Sequence, residues 1–391
     1  MTGFSKRYGF AREEVGLANW RQSPYSAWAF QNVAEIVPSA IRPPADPAPE
    51  EPGSQPALLQ ARLSVQGDTG TLTGTLADHL ASSETDLFCV LQGGRFLADW
   101  TAPHADPAAP HLVFSISKSL TALLAGGLEA EGLLSPDDPV TRFVPQAAGG
   151  AFADASLRHL LDMTTWLDFD EAYLTPDSPF ARYRHAMLWN PGGTGQSLHD
   201  FLCAIPRLPG PYGDAFRYRS PNSDMLGLVV ERAAGQRLAD LFATRVWSRI
   251  GTRGPVALTV DAAGLGRAAG GVSMTARDLA RVGEMMRQGG KGPGGRVVPA
   301  PWVQDTVENG DRGQWARGDF PELLPGGAYR NQWYRSGGSW FCAIGIHGQW
   351  LVVDPATEVV IVKLSSQREP VDDMLDQRNI ALFKAIFALL G

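Results

Sequence analysis

The sequence is short of cysteine, of lysine and of long apolar runs. Of its 391 residues three are cysteine, Cys89, Cys203 and Cys342. They are odd in number, far apart and set in apolar surroundings. That excludes a disulfide-stapled secreted scaffold and points to unpaired thiols in a reducing compartment. No apolar run approaches the ~18 residues that span a bilayer. The opening MTGFSKRYGFAREEVGLANW carries no apolar secretory core, so a cytoplasmic protein is expected. Positive charge is not in excess either: the net charge is −7 and the pI about 5.5. Neither nucleic acid nor a membrane surface is therefore expected as a partner, because both call for a basic face. Lysine is outnumbered 29 to 5 by arginine, so each lysine is worth inspecting.

Several catalytic signatures are missing as well. G-x-S-x-G, H-E-x-x-H, zinc-type Cys/His spacing, the Walker A loop and G-x-G-x-x-G do not occur. The seven histidines are scattered, with none paired at metal-ligand spacing. No cofactor and no metal are expected.

What is present suits a globular enzyme. Hydrophobic residues make up 44% and charged residues 19%. The length allows two domains sharing an interface, or one large unit with an insertion. After a first segment containing WAFQNVAEIV, residues 40–56 (AIRPPADPAPEEPGSQP) read as a surface connector. Residues 86–101 (DLFCVLQGGRFLADWT) read as two strands around Gly93-Gly94, a hairpin signal. A helix over about 117–131 follows, with Leu120, Leu123, Leu124 and Leu128 at helical spacing. From 140 to 260, SLRHLLDM, SLHDFLCAI and SDMLGLVVERAAG alternate with Pro/Gly-rich loops such as WNPGGTGQ. The stretch 271–288 reads as a helix capped by Thr275, with Asp278 in its first turn. HGQWLVVDPATEVVIVKLSS reads as strand, turn and strand, and RNIALFKAIFALL as an amphipathic helix. The expectation is an α+β fold: an antiparallel sheet flanked by helices, built from 1–135 and 261–391 with an N-terminal extension over 1–56, and a mostly helical domain over 136–260.

One short stretch carries chemistry. In HLVFSISKSLTALL, Ser115 and Lys118 stand three apart at the start of the helix, on one face. The helix N-terminus and burial both disfavour a charged ammonium, so Lys118 could be a neutral amine able to take the Ser115 proton. The Ser115 backbone N–H would be one oxyanion donor. The bland alternative is a capping serine with an exposed lysine, and a lone Ser-x-x-Lys does not decide between them.

Four segments in order resemble the penicillin-recognising serine hydrolases, a family of class C β-lactamases, D-Ala-D-Ala carboxypeptidases and related esterases and amidases. Ser115-Ile116-Ser117-Lys118 resembles the first motif, SLRHLLDMTTWLDF (156–169) the segment after the nucleophile helix, FRYRSPNSDMLGLVVE (216–231) the tyrosine motif, and AIGIHGQWLVVDP (343–355) the third motif. WAFQNVAEIVPSA, GGVSMTARDLARVG and VIVKLSS extend the likeness to an amide-cleaving branch. The resemblance implies a β-lactamase/transpeptidase-like fold with the site between the sheet and the helical part. It implies an acyl-enzyme on Ser115, proton handling by Lys118 and Tyr218, and a second oxyanion N–H from Ile346. Ser220 stands where the tyrosine motif usually carries asparagine, and Asn222 lies two residues further. Tyr173 matches a substrate-contacting tyrosine and Glu171 stands beside it; each could instead be a loop anchor or an exposed carboxylate. Ile-His-Gly replaces the usual cationic third motif, so His347 assures no charge for a β-lactam. Arg184 falls where the branch carries an acidic residue for a substrate amine, and Ala269 where it carries a polar side chain; an arginine there repels an ammonium and welcomes a carboxylate. Trp166, Trp189, Trp333 and Trp340 are candidates to line the cleft or pack in the core. The expected substrate is a small linear amide or short-chain ester, with a homodimer possible. The rivals are a carboxylesterase, a weak β-lactamase, and a member that binds a ligand without turnover.

Overall fold

Alternation along the strands decides which of two cores each side chain enters. The computed structural model describes residues 3–45, 47, 56–67, 70–192 and 195–391. Most of the expected connector, 46 and 48–55, and residues 193–194 of the WNPGGTGQ loop lie outside the described residues. Seven strands form the main sheet: β1 (Thr85–Gln92), β2 (Arg95–Thr101), β3 (Ala328–Arg330), β4 (Trp333–Arg335), β5 (Phe341–Gly345), β6 (Gln349–Asp354) and β7 (Val359–Ser365). Their order is β3-β4-β5-β6-β7-β1-β2, and every neighbouring pair is antiparallel. In β1, Leu87, Cys89 and Leu91 enter one core while Phe88 and Val90 enter the other. In β7, Val360, Val362 and Leu364 are divided from Val359 and Ile361 in the same way. Both faces are covered, so these strands read as continuous apolar runs rather than as alternating ones.

The helices that matter for the site are α1 (Ile116–Ala130), α2 (Pro179–Ala186), α3 (Pro221–Ala234), α4 (Ala276–Arg287) and α5 (Asp373–Leu390). Apolar residues of α1, α3 and α4 share one core, and α5 covers the other through Ile380, Phe383 and Phe387. The Gly93-Gly94 hairpin forms as expected, with φ of 54° and 80°, the left-handed pair that a two-residue turn demands. Thr275 caps α4, its hydroxyl accepting the Asp278 N–H at 3.1 Å. Residues just before it, Val272–Met274, form a strand rather than the helix read over 271–288.

That strand belongs to a second sheet, ordered Ser39–Arg42, Val256–Thr259, Val272–Met274, His111–Leu112. It ties the N-terminal segment to the approach into α1. The stretch read as helical, 136–260, holds α2, α3 and the short helices Val140–Phe143, Leu157–Leu161, Leu198–Cys203 and Leu238–Leu241, and ends in strand Val256–Thr259. The three cysteines are unpaired; Cys89 and Cys342 are buried, but Cys203 is only half-buried. Among the described residues no helix is long and apolar enough to cross a membrane.

Candidate active site

The polar knot divides its labour among its serines. Ser117 is buried, and its hydroxyl accepts the Val272 N–H at 3.0 Å. Ser119 is buried and donates to the Gln332 carbonyl at 2.6 Å. These two pin the start of α1 to the second sheet and to the loop before β4. Ser115 differs: it is half-buried and its side chain caps nothing, although it occupies the cap position. Instead its Oγ lies 2.7 Å from Lys118 Nζ. The capping alternative is therefore not what the fold builds. Phe114, just before Ser115, takes a left-handed φ of 43°, a strained conformation that the buried surroundings enforce.

Lys118 is 1% exposed and also donates to the Ala269 carbonyl at 2.8 Å. Burial pushes its pKa well down; Arg267 adds to the fall and Glu171 opposes it. Tyr218 is buried, with its ring 4.9 Å from Lys118 Nζ. The Ser115 and Tyr334 hydroxyls lie near enough to the Tyr218 phenol to favour its ionised form. Burial and the Glu171 charge push this phenol up, so it stays protonated. A buried lysine amine and a phenol thus flank one serine hydroxyl, an arrangement that can supply a base and an acid to a nucleophile.

Two backbone N–H groups stand free beside the serine. Among the described residues neither the Ser115 nor the Ile346 N–H is bonded to a protein acceptor. Between them runs the close approach of β5: a Cβ on Gly345 would lie 2.6 Å from the Val113 carbonyl and 3.1 Å from Ser115 N. Only glycine lets β5 come this near.

Glu171 is not an exposed carboxylate. It is partly buried, accepts the Ser220 backbone N–H, and accepts the Ser220 hydroxyl at 3.1 Å. It thereby sits at the N-terminus of the 14-residue α3, where the helix dipole favours negative charge. Burial raises its pKa; Lys118 and the Ser220 bonds pull it back. Tyr173 donates its backbone N–H to the Glu171 carbonyl at 2.7 Å and packs on Phe180 at 4.8 Å; burial and the Glu171 charge push its phenol well up. Asn222 is buried in a structural contact, accepting from Thr165 at 2.7 Å.

Ala269 enters the site by its backbone. Its side chain is buried, its carbonyl holds Lys118, and its N–H donates to Asp224 at 2.7 Å. Asp224 pairs with Arg267, and both bond to the Tyr183 hydroxyl. This buried network, like Tyr334, is invisible to sequence spacing. Trp333 belongs to the core, edge-on to Phe341 at 5.5 Å, and does not line the large cavity. Of the four tryptophans singled out, Trp189 lines that cavity. Trp166 sits outside it, with the Arg217 guanidinium 3.5 Å from its ring.

The cavity has a volume of about 710 Å³ and is lined by Tyr173, Arg184, Ile346 and His347 among others. The His347 imidazole lies 2.7 Å from the Gln367 carbonyl, and burial together with the nearby Arg21 charge pulls it down to about 4. It is neutral and offers no charge to an anion. Among the described residues no His, Cys, Asp or Glu side chains gather as metal ligands.

A family model described as Beta-lactamase matches residues 75–385. The 6-aminohexanoate-dimer hydrolase of Paenarthrobacter ureafaciens is 38% identical over 367 residues, 93% of this chain and 91% of that protein. A solved structure from Bacillus anthracis, assigned as a 6-aminohexanoate-dimer hydrolase, aligns with a TM-score of 0.84 at 23% identity, over 97% of this chain and 98% of that one. EstCE1, a hydrolase with promiscuous acyltransferase activity, aligns with a TM-score of 0.61 at 16% identity, over 80% and 98%. The two structural likenesses bear on the fold.

Proposed function

The chain belongs to the beta-lactamase family of hydrolases, and we propose that it is a serine amidohydrolase that cleaves linear amides through an acyl-enzyme on Ser115. The observation that carries this reading is the 2.7 Å contact of Ser115 Oγ with a buried lysine whose amine stands 4.9 Å from the Tyr218 ring. The 38% identity to a 6-aminohexanoate-dimer hydrolase supports the linear amide as substrate class.

Lys118 takes the Ser115 proton as Oγ attacks the amide carbon. The carbonyl electrons move onto oxygen, which the Ser115 and Ile346 N–H groups stabilise. As the intermediate collapses, the C–N bond breaks and Tyr218 gives its proton to the leaving nitrogen. Lys118 returns its proton to the Tyr218 oxygen, which regenerates both groups. A water then repeats the sequence on the acyl-enzyme, with Ser115 as the leaving group. Glu171 and Ala269 are positioning residues: Ala269 holds Lys118 by its carbonyl, and Glu171 sets its charge. Small esters should turn over too, since an alkoxide or phenoxide leaves more readily than an amide nitrogen.

The test is the rate of wild type and Ser115→Ala on the linear 6-aminohexanoate dimer and on p-nitrophenyl acetate. Turnover of the ester and slower turnover of the dimer, both lost in the variant, are the expected result. Turnover of the ester alone would make the chain an esterase. Full activity in the variant would remove Ser115 from the mechanism.

A further inference from the structure

The chain is acidic overall, with a net charge of −7, yet the cavity of about 710 Å³ is lined by four arginines, Arg21, Arg184, Arg267 and Arg368, against the single carboxylate of Glu369. Arg267 is neutralised by Asp224. The other three form no ion pair with a carboxylate of the described residues. Arg21 is tied by one nitrogen to the Trp189 carbonyl and by another to Asn190 Oδ1, both at 2.7 Å. Arg184 uses one nitrogen on the Tyr173 carbonyl at 2.8 Å, and its Nε is buried with no acceptor at all. Burial and the neighbouring Arg184 charge pull Arg21 down to about 9. Two like charges held beside each other in a partly enclosed site are costly unless an anion joins them. Both are also fixed in place by neutral acceptors, which leaves their remaining N–H groups preorganised for a carboxylate.

The cavity meets the catalytic groups at Ile346, the second oxyanion donor, and at Tyr173. Ser115, Lys118 and Tyr218, the proton donor to the leaving atom, all lie outside its lining, so the cavity extends from the oxyanion side of the serine, away from the proton donor. The leaving group must face its proton donor, so the acyl arm is the part of the substrate that fills the cavity. About 710 Å³ holds a linear chain of this kind comfortably.

We propose that this cavity receives the acyl arm of the substrate and that the arm ends in a carboxylate held by Arg21 and Arg184, so that monoamides of linear dicarboxylic acids are favoured over amides whose acyl arm ends in an amine. This deepens the reading of Ser115 as the nucleophile and rests on it. Arg368, exposed beside the cavity, adds to the local positive potential that draws the anion in.

Three p-nitrophenyl esters of matched arm length test the inference on the full chain: adipyl, hexanoyl and 6-(trimethylammonio)hexanoyl, the last carrying a fixed charge that cannot cyclise onto the ester. Esters are used because they should react whether or not amides do. The expected kcat/KM order is adipyl, then hexanoyl, then the cationic arm, with the first step about tenfold or more, the size of a charge-assisted contact. Arg184→Gln should collapse the adipyl-to-hexanoyl ratio towards one, and Arg184→Asp should lift the cationic arm above hexanoyl. The ratio is read within one preparation, so partial misfolding of a variant does not move it. An adipyl ester no better than hexanoyl, or a preference unchanged in both Arg184→Gln and Arg21→Gln, would overturn the inference while leaving Ser115 in place. Hexanoyl turnover that survives Ser115→Ala would instead remove the nucleophile, and the inference with it.

Discussion

Two buried lysines in this chain each donate to a serine hydroxyl at 2.7 Å: Lys118 to Ser115, and Lys363 to Ser365. Each has a backbone carbonyl as second acceptor, Ala269 for Lys118 and Ser83 for Lys363. Burial lowers both, Lys118 well below its usual value and Lys363 to about 8. By contact and by charge they are near copies. They differ in what surrounds the serine. Ser115 is half-buried, with two N–H groups beside it that have no protein acceptor among the described residues and with the Tyr218 ring 4.9 Å from its lysine. Ser365 is 0% exposed inside β7, with its own N–H donated to Gln349 at 3.1 Å and its carbonyl bonded to the Gln349 side chain at 2.7 Å. Lys363 also faces the carboxylates of Asp86, Asp376 and Glu84, opposed by Arg378, whereas Lys118 has the Glu171 carboxylate alone, opposed by Arg267. A serine–lysine hydrogen bond therefore does not define a catalytic site; access for substrate, oxyanion donors and a proton donor do.

Exchanging the two serines one at a time should break the symmetry most sharply. Ser115→Ala should cost on the order of 10⁴- to 10⁶-fold in kcat, the scale on which loss of a nucleophile falls, with thermal unfolding almost unmoved. Ser365→Ala should do the reverse: rates near wild type, and about 1–3 kcal/mol less stability, because Lys363 loses an acceptor deep in the sheet. Kinetics and denaturant melts on both variants settle the pair. An inactive but stable Ser365→Ala would mean that the second lysine pair feeds the first.

The Tyr218 phenol, the proposed proton donor, is the next distinction between the two pairs. Tyr218→Phe should lower amide turnover by roughly 10²- to 10⁴-fold, the usual weight of a general acid. The loss on a p-nitrophenyl ester should be clearly smaller, because that leaving group departs without a proton. Equal losses on both substrates would assign Tyr218 to positioning Ser115 rather than to protonating the leaving atom.

These distinctions were unevenly legible. The hairpin at Gly93-Gly94, the strand–turn–strand at 349–365 and the Thr275 cap follow from local chemistry, and each formed. Ser115, Lys118 and Tyr218 were found by motif, and the fold brings them together. Arg21, Arg267 and Tyr334 carried no local signal. Arg21 reaches the cavity on an N-terminal segment anchored by strand Ser39–Arg42, and Arg267 depends on Asp224, far away in sequence. Trp333 stood open between cleft and core because β4 is only three residues long, too short for alternation to register. Ala269 was assigned by side chain but acts through its carbonyl, which no residue identity discloses.

The smallest expected effect bears on why Lys118 and Lys363 titrate differently. Glu171 is the carboxylate that raises Lys118, as Asp86 and its neighbours raise Lys363. Glu171→Gln keeps an acceptor for the Ser220 N–H and removes the charge. The Lys118 ammonium then loses its stabilising partner, so its pKa falls further. Lys118 works as a neutral amine, so activity fails as pH drops through that pKa. The acid limb of kcat/KM should therefore move to lower pH, by a fraction of a unit to about one unit. A purely structural role for Glu171 would lower the whole profile without sliding it. A limb that moves upward instead would mean the titrating base is not Lys118, and the likeness between the two lysines would then be the more accurate description of both.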